Sequence, residues 1–313
     1  MIKKTLVSAF LLASTTAFSN MTVTTTIYPL YSIAKEIGGD KIKLQNLIPF
    51  GVEAHGFDPT PADMAKLSKS DIFITSSDSM EPWKDKIVKS LKIEQKVFDM
   101  SEHVKLRTLQ EDNDKHHEDE EDEKDKKGNK HEHEHEHDGM DPHYWVSLNN
   151  YILMTETITK LFIEKDSTNK DFYIQNSNNY LTKVKALKEK YDLSMATCTN
   201  KKILVNHDAF GYFADDYGVK QYSISGMSPE DKPSAKQISE LINLVKNEKI
   251  NTVFFEEFAS PKVAQTIAKA ANVKIDTLRP GENISKEENK RGYGYLQIME
   301  ENLEKLKFAM DCK

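Results

Sequence analysis

Cysteine and long apolar runs are both scarce in this chain of 313 residues. The two cysteines, Cys198 and Cys312, stand far apart and outside any CxxC-type spacing, which argues against a cysteine-based metal site. In an oxidising compartment two such thiols are expected to pair with each other. Beyond the N-terminal segment, no stretch approaches the ~20 apolar residues needed to span a bilayer, so we expect no inserted helix.

The net charge of the chain outside residues 110–138 is also small. Residues 110–138 carry fourteen Asp and Glu against five Lys, a charge of −9, and because the whole chain is −7 the remainder sums to +2. A nearly neutral globular part gives no electrostatic reason to expect nucleic acid or an anionic membrane as a partner. The HExxH pattern of helical zinc hydrolases occurs only within the repetitive run 131–137, outside any predicted helix.

The N-terminus has the pattern of a secretory signal peptide. Lys3 and Lys4 precede an apolar stretch, and Ala17-Phe18-Ser19 offers a small-x-small cleavage site. The alternative is a buried first helix. No cysteine lies near the expected cut after Ser19, so we expect a signal peptide over 1–19 and a mature protein without a lipid anchor. An exported protein without an anchor stays near the cell only where an outer membrane retains it. We therefore predict a periplasmic location.

Short apolar runs alternate with helical patterns on both sides of one long helical stretch. This alternation is typical of α/β domains with parallel sheets. We predict an N-terminal lobe over 20–147, a helical segment over 148–198 and a C-terminal lobe over 199–313. The linking helix is expected over about 172–197, with a buried stripe at a 3.6-residue period: Tyr173, Tyr180, Val184, Leu187 and Tyr191.

The segment 110–138 interrupts the first half. It has almost no apolar residue, so burial cannot offset an ordering entropy of roughly 1–2 kcal/mol per residue, and we expect a disordered loop. Its histidines, mixed with acids, predict a weak secondary metal-chelating tract, the alternative being a solvated acidic spacer. These are His116, His117, His131, His133, His135 and His137.

Three other histidines stand at or near predicted strand ends: His55, His143 and His207. Ligand sites of open parallel sheets form outside the carboxyl ends of the strands, so the three rings are expected to meet in a cleft between the lobes. Three neutral imidazoles favour Zn²⁺, whereas Mn²⁺ prefers more oxygen ligands. The alternative is that each is an ordinary surface or hydrogen-bonded histidine. Asp58 and Asp208 are candidates to orient the rings, or else to cap helices.

The motifs around these histidines resemble those of a known family. His55-Gly56-Phe57-Asp58-Pro59-Thr60-Pro61-Ala62-Asp63 is similar to the H-x-[FY]-[ED]-P-[ST]-P-x-D signature of cluster A-I solute-binding proteins, the zinc and manganese receptors of ABC importers. Asp141-Pro142-His143-Tyr144-Trp145 resembles the D-P-H-x-W segment of that family, and residues 206–213 resemble its third ligand motif. The resemblance runs from about Thr22 to the C-terminus.

The resemblance implies two four-stranded α/β lobes, joined by one long rigid helix, with the metal between them on His55, His143 and His207. A histidine at 207 and the acidic His-rich insertion are typical of zinc members, of the ZnuA type. The resemblance also implies a monomeric periplasmic zinc receptor that delivers Zn²⁺ to an inner-membrane ABC permease and is not an enzyme. A manganese or iron receptor, or a zinc-dependent hydrolase or hydratase, are the alternatives.

One position departs from the family pattern. Arg279 stands where the family usually has a further Asp ligand, and a guanidinium cannot bind zinc. The fourth coordination position is therefore left open between water, Glu282 and Glu257.

Overall fold

The structure is a computed structural model that describes residues 20–109, 139–229 and 231–313. The predicted signal peptide and the predicted chelating loop over 110–138 lie outside these residues.

The N-terminal half contains a four-stranded parallel sheet with the strand order β2-β1-β3-β4. Its strands are β1 (Met21–Thr25), β2 (Ile42–Asn46), β3 (Ile72–Thr75) and β4 (Val97–Asp99), and its helices are α1 (Tyr28–Gly38), α2 (Pro61–Leu67) and α3 (Lys84–Leu91). Every residue of β3 is buried, as expected for a strand covered on both faces. Helix α2 begins after Thr60, whose side chain forms a capping box with Asp63.

The C-terminal half repeats this arrangement in the order β6-β5-β7-β8, again with parallel strands. Its strands are β5 (Lys202–Val205), β6 (Lys220–Ser223), β7 (Thr252–Phe255) and β8 (Lys274–Thr277), and its helices are α6 (Gly211–Tyr217), α7 (Ala235–Asn247), α8 (Lys262–Ala271), α9 (Lys286–Lys290) and α10 (Tyr295–Ala309). A capping box of Ser234 and Gln237 stands at the start of α7. The two-sheet α/β fold predicted from the sequence is therefore confirmed.

Two helices connect the halves, α4 (Leu148–Lys165) and α5 (Lys170–Met195). Helix α5 has 26 residues, so it spans about 39 Å at ~1.5 Å per residue. All five residues of its predicted stripe are buried, and the helix packs against α4, α1 and α10. It begins two residues before and ends two residues before the expected limits, within the usual uncertainty of helix ends.

The largest buried apolar cluster of the described residues continues across both halves. It includes Val23 and Ile33 of the first half, Trp145 and Tyr180 of the connecting region, and Phe254 of strand β7 in the second sheet. Because the halves share this core, the loops that follow their strands are held in a fixed relation. None of the described helices is both long and apolar enough to cross a bilayer.

Cys198 and Cys312 form a disulfide, as the sequence predicts. Cys198 follows α5 and Cys312 follows α10, so the bond joins the ends of two helices that pack together.

Replacing both cysteines by serine should lower the free energy of unfolding of the metal-free protein by about 2–4 kcal/mol, because the bond closes a loop between residues 114 apart in sequence. Urea unfolding of the variant and of the oxidised parent measures the difference. Metal affinity should stay within about twofold, since neither cysteine belongs to the metal-ligand cluster described below. Equal unfolding midpoints would show that the bond does not constrain the unfolded chain.

Candidate metal centre

His55 lies in the loop between β2 and α2. The carboxylate of Glu53 accepts hydrogen bonds from the backbone N–H groups of His55 and Gly56, both at 2.9 Å, and so closes the turn that presents the ring. The His55 side chain is 11% exposed, whereas those of His143 and His207 are fully buried. His55 is therefore the histidine that faces the approach to the site.

His143 stands just before a short 3-10 turn, Tyr144–Val146, at the start of the connecting region. Asp141 accepts hydrogen bonds from its backbone N–H and its ring Nδ1, both at 2.9 Å. With the Nδ1 proton held by Asp141, the lone pair of Nε2 points away from the carboxylate. The buried Asp141 is in turn bound by Nη1 of Arg107 at 3.1 Å. Gly211 leaves room for this pair, because a Cβ there would lie 2.2 Å from Nη1 of Arg107.

His207 follows β5 after one intervening residue, Asn206, where the chain leaves the sheet. Its Nδ1 is hydrogen-bonded to Glu256, which comes immediately after β7 in the adjacent position of the sheet. Glu256 therefore has the same role at His207 as Asp141 has at His143. Each carboxylate accepts a hydrogen bond from Nδ1, so that Nε2 is the nitrogen that can bind a metal.

A fourth donor comes from Glu282, on the segment after β8. Its carbonyl accepts a hydrogen bond from the backbone N–H of Tyr28 at 2.8 Å, and the indole of Trp145 donates to the carbonyl of Pro280 at 3.0 Å. The segment therefore leaves the second sheet and is bound to the N-terminal half. Its carboxylate is buried, and Oε1 has no hydrogen-bond partner among the described residues.

The four donors converge on one point. Nε2 of His143 lies 3.2 Å from Nε2 of His55 and 3.2 Å from Nε2 of His207. Glu282 oxygens lie 3.5 Å from the Nε2 atoms of His55 and His207 and 3.9 Å from that of His143. Donors on a zinc tetrahedron with bonds of ~2.0–2.1 Å are roughly 3.3 Å apart. The observed separations have the size of the edges of such a tetrahedron.

The electrostatics favour a cation at this point. Burial raises the pKa of Glu282, but the adjacent His55 and His207 outweigh burial and lower it well below its ordinary value. Burial lowers the pKa of His207, but the charge and hydrogen bond of Glu256, together with Glu282, raise it to about 10. At His143 burial prevails over Asp141, so its pKa is lowered and its ring stays neutral.

Several predicted assignments need correction. The acceptors of the two buried rings are Asp141 and Glu256, so the expectation that Asp58 and Asp208 orient them is wrong: Asp58 is exposed, and Asp208 accepts from the amide of Gln221. Neither acceptor was identified from the sequence, although Asp141 stands two residues before His143, a spacing that suits an aspartate turn.

Among the three options left open for the fourth donor, the geometry favours Glu282. Glu257 is instead paired with Arg279 at 2.6 Å. Arg279 also forms two hydrogen bonds with Glu288, and so fixes the start of the Glu282 segment rather than entering the cluster.

A small cavity of about 30 Å³ lies beside Glu282 of the cluster. It has room for only a few water-sized groups, so it suits an ion more than a bulky chelate. Its wall includes Glu282, Glu256 and Glu53, together with Val52 and Phe258, two of the exposed large apolar residues.

Two parallel α/β sheets sharing a helical connection, with a nitrogen-rich metal cluster between their strand ends, define a metal-binding solute receptor. The family model described as "Zinc-uptake complex component A periplasmic" (ZnuA) matches residues 23–309, and the chain belongs to this family. The chain is 38% identical over 292 residues to the high-affinity zinc uptake system protein ZnuA of Bacillus subtilis (strain 168), covering 93% of this chain and 88% of that protein.

The chain also resembles Streptococcus pneumoniae AdcA, a zinc-binding lipoprotein, at 33% identity over 94% of this chain but only 57% of that protein, so it spans little more than half of that relative. The Zn(II)-bound ZnuA-like domain of the same protein has a solved structure with a TM-score of 0.75 and 31% identity, covering 94% of this chain and 100% of that domain. Family members are extracytoplasmic solute-binding receptors and not enzymes, which confirms the predicted class.

Removing the negative charge that holds His143 should weaken metal binding. In Asp141→Asn we expect the zinc affinity to fall by roughly 10–100-fold, the usual effect of losing a hydrogen-bond partner of a ligand histidine. Competition with a fluorescent zinc chelator measures it. Asp215→Asn is the matched control, because Asp215 binds the same Arg107 without touching His143. Equal losses in both variants would assign the effect to Arg107 and not to the ring.

Zinc affinity should fall as pH falls, because protons compete for the same lone pairs. The pKa of His207, raised to about 10, means that zinc displaces at least one proton at neutral pH. Affinity should therefore rise about tenfold per pH unit from about pH 6 to 8. Titration calorimetry in two buffers of different ionisation enthalpy counts the released protons. An affinity that is level across this range would contradict the expectation.

Proposed function

We propose that this chain is a periplasmic zinc receptor that captures Zn²⁺ with His55, His143, His207 and Glu282 and delivers it to an inner-membrane ABC permease. The observation that carries the proposal is the set of donor separations of 3.2–3.9 Å, which has the size of a zinc tetrahedron.

The donor set supports zinc over manganese. Three imidazole nitrogens and one carboxylate suit a four-coordinate borderline ion, whereas Mn²⁺ prefers a larger number of oxygen ligands. Arg279 lies where an additional aspartate would supply such an oxygen, and its guanidinium is held by Glu257 and Glu288. The proposed selectivity therefore follows from the atoms that surround the ion.

The same set supports capture rather than catalysis. Catalytic zinc sites keep a coordination position open for water, while closed sites fill all four with protein atoms. With Glu282 as the fourth donor, no position remains for a reacting water. Reversible capture needs only ligands that meet in the cleft and can separate again.

We also propose that the receptor is a monomer, that it is exported to the periplasm and that its partner is a zinc uptake complex. All four donors come from one chain, which supports a receptor that acts as a monomer. The signal-peptide pattern at the N-terminus supports export, and the family description supports the periplasm and a zinc uptake complex as the partner. The segment 110–138, outside the described residues, remains a predicted secondary zinc-binding loop.

The test is competitive binding of Zn²⁺ and Mn²⁺ to the parent and to four variants: His55→Ala, His143→Ala, His207→Ala and Glu282→Gln. Each should lose at least about tenfold in zinc affinity, because each removes a donor or its charge, with the parent binding Zn²⁺ more tightly than Mn²⁺. Growth of a receptor-deficient strain at limiting zinc should follow the order of affinities. Glu257→Gln is the matched control, since Glu257 pairs with Arg279 outside the cluster. Tighter binding of Mn²⁺ by the parent would overturn the zinc assignment.

A further inference from the structure

The side chain of Asn283 joins two of the proposed ligand segments. Its Nδ2 donates to the carbonyl of Pro49 at 2.8 Å and to the carbonyl of Val52 at 2.7 Å. These carbonyls belong to the turn that precedes His55, while Asn283 itself follows Glu282 directly. One buried amide, 4% exposed, therefore connects the His55 segment to the Glu282 segment.

The other end of the amide is fixed as well. Oδ1 of Asn283 accepts a hydrogen bond from the backbone N–H of Ile284 at 2.9 Å, which sets the side-chain orientation and identifies Nδ2 as the donor to the two carbonyls. The neighbouring carbonyl of Glu282 accepts from the backbone N–H of Tyr28. The segment is thus anchored to the N-terminal half by backbone and side chain together.

His55 is the ligand that most needs such support. His143 and His207 are fully buried, and each is held through Nδ1 by a carboxylate. His55 is partly exposed, and its position rests on the turn closed by Glu53 and on the carbonyls bound by Asn283. Its Nε2 lies 3.5 Å from Glu282, so a shift of the turn directly changes the donor geometry.

Resting on the proposed zinc function, we infer that Asn283 is a positioning residue, which holds the His55 turn at the distance from Glu282 that zinc requires. It touches no metal itself. Its loss frees the turn, so that His55 is ordered only when zinc binds, and the cost of ordering it appears as weaker affinity and faster release.

A purely structural role would give a different result, and Asn302 supplies the comparison. Asn302 is 1% exposed and binds the backbone of Arg279 on the same segment, donating to its carbonyl at 2.6 Å and accepting from its N–H at 3.1 Å. It makes comparable hydrogen bonds but reaches from α10 and does not contact the His55 turn.

The experiment is a double-mutant cycle on zinc affinity, using full-length protein and zinc alone. Asn283→Ala in the parent should cost about 10-fold or more, as for other outer partners of ligands, whereas in the His55→Ala background it should cost less than about threefold, because no ring remains to be positioned. Asn302→Ala should cost the same small factor in both backgrounds. Stopped-flow removal of zinc by a chelator should show faster release only for Asn283→Ala.

Asn283→Asp guards against a variant that fails to fold. It keeps the shape and the bond to Ile284 but faces the two carbonyls with a carboxylate. An added negative charge by itself attracts a cation, so weaker zinc binding in this variant would support the lost donor as the cause.

An equal cost of Asn283→Ala in both backgrounds, or an equal effect of Asn302→Ala, would overturn the positioning role and leave the zinc function intact. A parent protein that does not bind zinc would overturn the proposed function instead.

Discussion

Four possible metal-binding atoms, one each from His55, His143, His207 and Glu282, lie within 4.8 Å of one another in a buried cleft. The contacts around the site hold these atoms close together. Asp141 and Glu256 hold the Nδ1 protons of His143 and His207, so the Nε2 atoms that face each other at 3.2 Å are both electron donors. Such atoms repel unless a cation or a shared proton lies between them. Burial lowers the pKa of His207, but Glu256 and Glu282 raise it to about 10, so this ring holds a proton at neutral pH until a metal displaces it.

This constraint gives each supporting contact a definite task. Carboxylates behind the two buried rings fix their orientation, and Arg107 keeps one of these carboxylates in place from the far side. The other two donors are held from a distance by backbone contacts. Asn283 and Tyr28 bind the Glu282 segment to the N-terminal half, and Trp145 binds it to the connecting region, although this segment follows a strand of the second sheet. Both halves thus contribute donors to one set, and they share the apolar core beneath it.

Much of the architecture could be read from local patterns. Alternating apolar runs predicted two parallel α/β sheets, and the stripe on α5 predicted its buried face, since period and burial are properties of neighbouring residues. A cap such as Thr60 is a local feature too, because its side chain satisfies N–H groups only a few positions away. The predicted pairing of Cys198 with Cys312 followed from compartment and count. Helix α9 is only five residues long, so its sequence is too short to show a helical period.

In the candidate site, too, some residues could be predicted from local sequence and others could not. By itself the sequence predicted the three histidines. His55 and His207 each come after a strand, and the carboxyl ends of parallel strands share one edge, whereas His143 follows no strand of either sheet and was recognised from the motif around it. Only the tertiary structure decided which carboxylates join them. The sequence alone does not distinguish the roles of Glu256, Glu257 and Glu282. In the structure Glu256 orients the ring of His207, Glu257 binds Arg279, and Glu282 joins the three histidines. That difference depends on the path of the segment after β8, which is set by contacts with residues more than two hundred positions away, and no local pattern encodes such contacts.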